Sequence, residues 1–225
     1  MNIHSYLARV YYTSELESKS TNEIIQLSSV PGLKLTSEDE ATISIVTKGR
    51  VDRLRRSRRI AEVVATREEN KGKVNRVIAL REFKSKIENE LAELLNSLIN
   101  CIDKSFLSKA TGEPARILFL KMKADYCRYL SEMQKIQVSQ VEAAYKAAYD
   151  AAKASLGPAH PLRTGIALNF SVFYYEIVQN KNEAVKIAKL AYDEGIAAEK
   201  TLPEDEKEDS MELLNVLSTT LQKWA

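Results

Sequence analysis

Lys121, Asp125, Arg128 and Tyr129 fall within the run KMKADYCRYLSE at offsets of zero, four, seven and eight. In a helix of 3.6 residues per turn, those offsets return to one face. A core-facing stripe would carry Leu, Ile or Val. This face carries two cations, a carboxylate and a phenol. Arg128 offers a planar fork of donors, Tyr129 a neutral hydroxyl and Lys121 a point charge. Asp125 stands four residues after Lys121 and three before Arg128, so it can orient both and offset their repulsion. The plain alternative is an ordinary set of ion pairs within one helix.

A second polar face lies in KGRVDRLRRSRRI. Lys48, Arg55 and Arg59 fall within about 40° of one another at 100° per residue. Asp52 shares that face, while Arg50, Arg53, Arg56 and Arg58 point around the helix. One reading is a solvated charged face, a localisation signal or a nucleic-acid patch. The sharper reading is an oxyanion site, because arginine donates two parallel bonds to phosphate oxygens.

Two further segments mix apolar and polar groups. In IALNFSVFYYEIV, Leu168, Val172 and Glu176 recur every four residues with Asn169 alongside. An asparagine amide offers a donor and an acceptor together, the same pair that an extended peptide main chain offers. In ELLNVLSTTLQKW, Leu213, Val216 and Thr220 share a face, with Lys223 and Trp224 near it. Apolar residues beside a cationic pocket would give a groove one basic wall and one apolar wall.

Long helices must carry these faces. The chain has 225 residues, 44% of them hydrophobic, with only 7 Gly and 5 Pro. That composition supports a sizeable core but few turns, so the expectation is an all-α fold. Helices are expected over about 2–16, 38–68, 73–106, 114–134, 138–155, 161–179 and 182–201, with a short one around IIQL and a last one ending near Trp224. Ser20-x-x-Glu23 and Ser37-x-x-Glu40 read as capping boxes. Pro161 suits a first helical position. The total is nine helices with short links, which favour antiparallel neighbours, in a single domain spanning 1–225.

Several function classes lose support. Net charge is +2, far from the bias of a dedicated nucleic-acid binder. No aromatic stacking platform accompanies the arginines, so nucleic acid is disfavoured as a partner. Cys101 and Cys127 are too few for a disulfide framework, and His4 and His160 are the only histidines, so no His/Cys zinc set exists. No nucleophile–base pair or glycine-rich phosphate loop is visible. The expectation is a protein that is not an enzyme, has no metal or other cofactor and does not span a membrane. Its expected location is the cytoplasm, with the nucleus as the alternative. Cys127 beside Arg128 reads most simply as a small packing residue. A scaffold of tetratricopeptide type for unmodified peptides would need a repeat, and none is present.

The segments FLKMKADYCRYLSE, HPLRTGIALNFSVFYYEI and REFKSKIENELAELL closely resemble the 14-3-3 family, as does the order of nine helices. The likeness runs from about Leu35 to Trp224 and is poor over the first 30 residues. It implies a cup-shaped all-α dimer, homo- or heteromeric, that binds phosphoserine or phosphothreonine peptides of client proteins. By that resemblance Arg55, Arg128 and Tyr129 match the phosphate-binding triad and Lys48 the lysine beside it. Arg59 and Lys121 match supporting basic residues, and Asn169 the asparagine that holds the peptide backbone. Leu168, Val172, Leu213 and Val216 match the apolar groove wall, Glu176 a polar groove residue and Trp224 the terminal tryptophan.

Departures from the family pattern are specific. Thr220 stands where the family has a second backbone-holding asparagine, and a hydroxyl reaches less far than an amide. Lys223 replaces a wall leucine and Glu212 another apolar residue, which implies a more polar groove. Residues 1–34 match the dimerisation segment by position only. Phe83, Lys86 and Glu90 match the surface it packs against. Ser57, which follows LRR, aligns with an interface serine whose phosphorylation loosens dimers in the family.

Overall fold

The computed structural model describes residues 1–224, so Ala225, the end of the expected domain, lies outside the described residues. Among the described residues there are helices and no strands. The chain divides into two compact units, Met1–Thr111 and Gly112–Ala225.

The first unit holds α1 (Ile3–Thr13), α2 (Glu17–Ser28), α3 (Ser37–Asn70) and α4 (Val74–Cys101). α4 continues through a π-helical turn, Ile102–Phe106, to Lys109, so the link to the next helix is shorter than the gap expected between helices ending near 106 and starting near 114. Helices α3 and α4 pack along each other, and α1 and α2 pair and lean on α3. Ile24, Leu27, Ile43, Leu91, Leu95, Leu98, Ile102 and Phe106 are fully buried and form the core of this unit. Removing such side chains from water is the main driving force, at about 1.5–3 kcal/mol each.

Both expected capping boxes are corrected. Ser20 lies inside α2, fully buried, and donates to the Ala8 carbonyl of α1 at 2.7 Å. It joins two helices rather than starting one. At α3 the box is Thr36 with Asp39, one residue earlier than the expected Ser37 and Glu40. The Asp39 carboxylate accepts from the Thr36 amide and hydroxyl, and also from the Asn2 amide at 2.9 Å, which ties down the start of α1. Glu40 is committed elsewhere. It accepts from the Thr111 amide at 2.7 Å and the Thr111 hydroxyl at 2.8 Å.

The second unit holds α5 (Glu113–Glu132), α6 (Val138–Ser155), α7 (Pro161–Phe173), α8 (Lys181–Ala198) and α9 (Glu204–Trp224). Counting α4 with its continuation as one rod, the described residues make nine helices, as expected. Pro161 does open its helix. That helix passes into a π turn at Tyr174–Val178, closed by Gln179 at φ 59°, where an unbroken helix to 179 was expected. Successive helices pack on each other, and α9 lies against α7 and α8. A Cβ on Gly195 of α8 would sit 2.6 Å from Leu214 Cδ2 of α9, so glycine lets these two helices approach closely. Tyr175 and Trp224 stack at 4.4 Å and pin the end of α9 to the π turn.

Candidate functional site

In the first unit, Lys48, Arg55 and Arg59 share the expected face of α3, with Arg55 half-buried and the other two exposed. Three of the arginines around them bind carboxylates of the same unit. Arg58 Nε lies 2.7 Å from Glu88, Arg50 Nη2 lies 3.0 Å from Glu90, and Arg53 Nε lies 2.7 Å from Glu17. Lys84 pairs with Glu62, and Arg81 with Glu69, further along the same hairpin. Much of the basic run is therefore a lattice that laces α3 to α2 and α4. That arrangement weakens the nucleic-acid reading, since three of the arginines already have anionic partners. Ser57 is half-buried, and Phe83, Lys86 and Glu90 are exposed, Glu90 within its pair with Arg50.

In the second unit the face of α5 is largely buried. Asp125 is 7% exposed and Arg128 8%. Lys121 Nζ donates to Asp125 Oδ2 at 2.8 Å, as its spacing predicts. The other half of the expected ion-pair set is not direct, because Arg128 Nη2 stays 4.0 Å from Asp125 Oδ1. Tyr145 of α6 stands between them. Its hydroxyl donates to Asp125 Oδ1 at 2.6 Å and accepts from Arg128 Nε at 2.9 Å. Asn169 of α7 donates its amide N–H to the same Asp125 oxygen at 2.8 Å. Arg128 Nη1 reaches Glu132 at 3.2 Å, and the guanidinium lies 4.7 Å from the Tyr129 ring centroid, a cation–π distance.

Tyr145 is a member of this network that sequence reasoning missed. Its ring is fully buried and stacked 5.4 Å from Phe170. Nothing in an Ala- and Tyr-rich helix distinguished it from a packing residue. The one available signal was arithmetic: a buried tyrosine needs a partner for its hydroxyl.

The electrostatics are mutual. Burial alone would raise the Asp125 pKa, but the Lys121 and Arg128 charges and the bonds from Lys121 and Tyr145 hold it below the ordinary 3.8. Burial works against the Arg128 charge, yet Tyr145, Tyr129 and Asp125 keep its pKa above the ordinary arginine value. Burial and the Asp125 carboxylate push the Tyr145 phenol well above 10.0, so it stays a neutral hydroxyl. The result is a guanidinium and a carboxylate held in their charged forms around a neutral phenol.

The residues expected on the groove wall sit nearby in the same unit. Leu168, Asn169 and Val172 of α7 are half-buried and Glu176, in the π turn, is exposed. On α9, Leu213 and Thr220 are half-buried, Val216, Lys223 and Glu212 are exposed, and Trp224 is buried against Tyr175. Gly165 of α7 leaves room beside Lys121 Cε and Leu213 Cδ1, 3.7 and 3.8 Å from where a Cβ would stand. Cys127 is a buried thiol, in keeping with a packing role. Among the described residues, no cluster of three or more His, Cys, Asp or Glu side chains could hold a metal ion. No helix of theirs is long and apolar enough to cross a membrane.

Comparison with known proteins agrees with the sequence patterns. The family model for the 14-3-3 protein matches residues 7–225. A 14-3-3-like protein of Helianthus annuus is 39% identical over 198 residues, covering 86% of this chain and 76% of its own length. The 14-3-3 protein 3 of Solanum lycopersicum is 36% identical over 225 residues, covering 97% and 86%. The 14-3-3-like protein GF14 omega of Arabidopsis thaliana is 36% identical over 225 residues, covering 97% and 87%. With α5 and α7 carrying the family's motifs and a match along nearly its whole length, the chain belongs to the 14-3-3 family.

Proposed function

We propose that this protein binds phosphoserine or phosphothreonine peptides and acts as a non-enzymatic adaptor or regulator of the proteins that carry them. Family membership supports the phosphopeptide-binding adaptor role. Lys48, Arg55, Arg128 and Tyr129 grip the phosphate, with Arg59 and Lys121 supplying further positive charge. Asn169 and Thr220 hold the peptide main chain. Leu168, Val172, Leu213 and Val216 line the apolar wall, with Glu176, Lys223 and Trp224 along its edge. The protein works as one 14-3-3-like domain and as a homo- or heterodimer, through residues 1–34 and the surface of Ser57, Phe83, Lys86 and Glu90.

One observation carries the reading: Arg128, 8% exposed, is held in place by Tyr145 and Glu132 beside the Tyr129 ring. A phosphate dianion needs several donors in order to leave water. Charge-assisted bonds contribute about 1.5–3 kcal/mol each. Selectivity follows from the converse, because an unphosphorylated peptide would desolvate cations without a counter-charge.

Calorimetric titration with a phosphoserine peptide library and its unphosphorylated twin tests this. The expected result is affinity of roughly micromolar strength or tighter for the phosphorylated library alone, lost in Arg55→Ala with helicity intact. Equal binding of both libraries would contradict it.

A further inference from the structure

We propose that Tyr145 is a positioning residue for the phosphate clamp: its hydroxyl holds Arg128 in place and keeps Asp125 from closing onto it. This rests on the phosphopeptide reading above.

Arg128 and Asp125 are three residues apart on one helix, a spacing that favours a direct ion pair. A carboxylate is also the best bidentate partner for a guanidinium. Left alone, Asp125 would occupy the fork that a phosphate needs. The observed geometry avoids this. The Tyr145 hydroxyl takes one Asp125 oxygen at 2.6 Å and offers its own lone pair to Arg128 Nε at 2.9 Å. Arg128 Nη2 stays 4.0 Å from Asp125 Oδ1.

The phenol can do this because it is both donor and acceptor and stays neutral. Donation to Asp125 polarises its oxygen and strengthens the bond that it accepts from Arg128. Arg128 is thereby oriented through Nε, with Nη1 on Glu132 at 3.2 Å, while Asp125 stays off its Nη2. Asp125 Oδ1 also receives the Asn169 amide at 2.8 Å, and Oδ2 the Lys121 ammonium at 2.8 Å. One buried hydroxyl therefore connects α6 to three side chains that the reading assigns to the ligand. Stacking against Phe170 at 5.4 Å and Phe173 at 5.8 Å fixes the ring that carries it.

The test is a rescue experiment on the full chain. Tyr145→Phe removes the hydroxyl and keeps the stacked ring. Fluorescence anisotropy with the labelled phosphoserine library should show binding about tenfold weaker or worse. Asp125→Asn in the same background removes the competing charge, and binding should recover by a measurable fraction. Weakening without recovery, or no weakening at all, would overturn the proposal. A merely structural tyrosine would give no rescue.

The Arg128 Nε–H resonance supplies a readout independent of ligand. In the unliganded wild type it should be resolved and slow to exchange, and in Tyr145→Phe it should shift or broaden. A fast-exchanging Nε–H in the wild type would overturn the proposal even if Tyr145→Phe failed to fold. Absence of library binding by the wild type would count against the phosphopeptide reading, while the resonance would still decide the role of Tyr145.

Discussion

The two units use the same residue types to different ends. Along α3 and α4, arginine and lysine meet glutamate in pairs at the surface, such as Arg81 with Glu69, where both side chains are more than half exposed. In α5 a single carboxylate, Asp125, serves Lys121, Tyr145 and Asn169 in near-complete burial. Exposed pairs are screened by water and contribute little. Buried ones are costly to form and more costly to break. The first arrangement aligns helices and tolerates change. The second fixes charged groups in a set geometry, which is what recognition of an anion requires.

The largest expected effect is at the buried site. Asp125→Ala would leave Lys121, Tyr145 and Asn169 facing an empty position, and should cost about 3–5 kcal/mol in urea unfolding. A loss below about 1 kcal/mol would mean that the network is no more than another surface pair.

The pH dependence sharpens the contrast next. The folded pKa of Asp125 lies below its ordinary 3.8, so the carboxylate contributes stability that is present above that value. The contribution is lost as pH falls below 3.8 and through the depressed folded value. Glu62, held down by Lys84, and Glu68, held down by Arg76 and Lys71, shift in the same direction in the first unit. Glu62 is exposed to screening, so about 1 M salt, with a Debye length near 3 Å, should weaken its share and spare that of Asp125. Hydrogen exchange on α3–α4 and on α5, measured in acid with and without salt, separates the two.

The smallest effect belongs to the lattice. Arg58→Ala removes the pair with Glu88, in which each partner is roughly a quarter exposed. It should cost only about 0.2–1 kcal/mol, and less in high salt. A loss comparable to that of Asp125→Ala would erase the distinction between the units.

Helix order and the α5 face were legible because they depend on local spacing. Lys121 and Asp125, four residues apart, do bond. What escaped depends on partners distant in sequence. Tyr145 meets Asp125 across 20 residues and Asn169 meets it across 44. No periodicity encodes either contact. The capping boxes failed for a related reason. Ser20 and Glu40 fit the pattern, but tertiary partners, Ala8 and Thr111, claim their oxygens. The ion-pairing members of the arginine run could not be picked out by pattern alone, because their carboxylate partners lie on α2 and α4.

Setting Arg128→Ala beside Arg58→Ala, each titrated by fluorescence anisotropy with the phosphoserine library and its unphosphorylated twin, separates a ligand-binding arginine from a helix-pairing one. Arg128→Ala should abolish phosphate-dependent binding, and Arg58→Ala should leave it within about twofold. Equal losses in the two variants, or unchanged binding by Arg128→Ala, would contradict that separation.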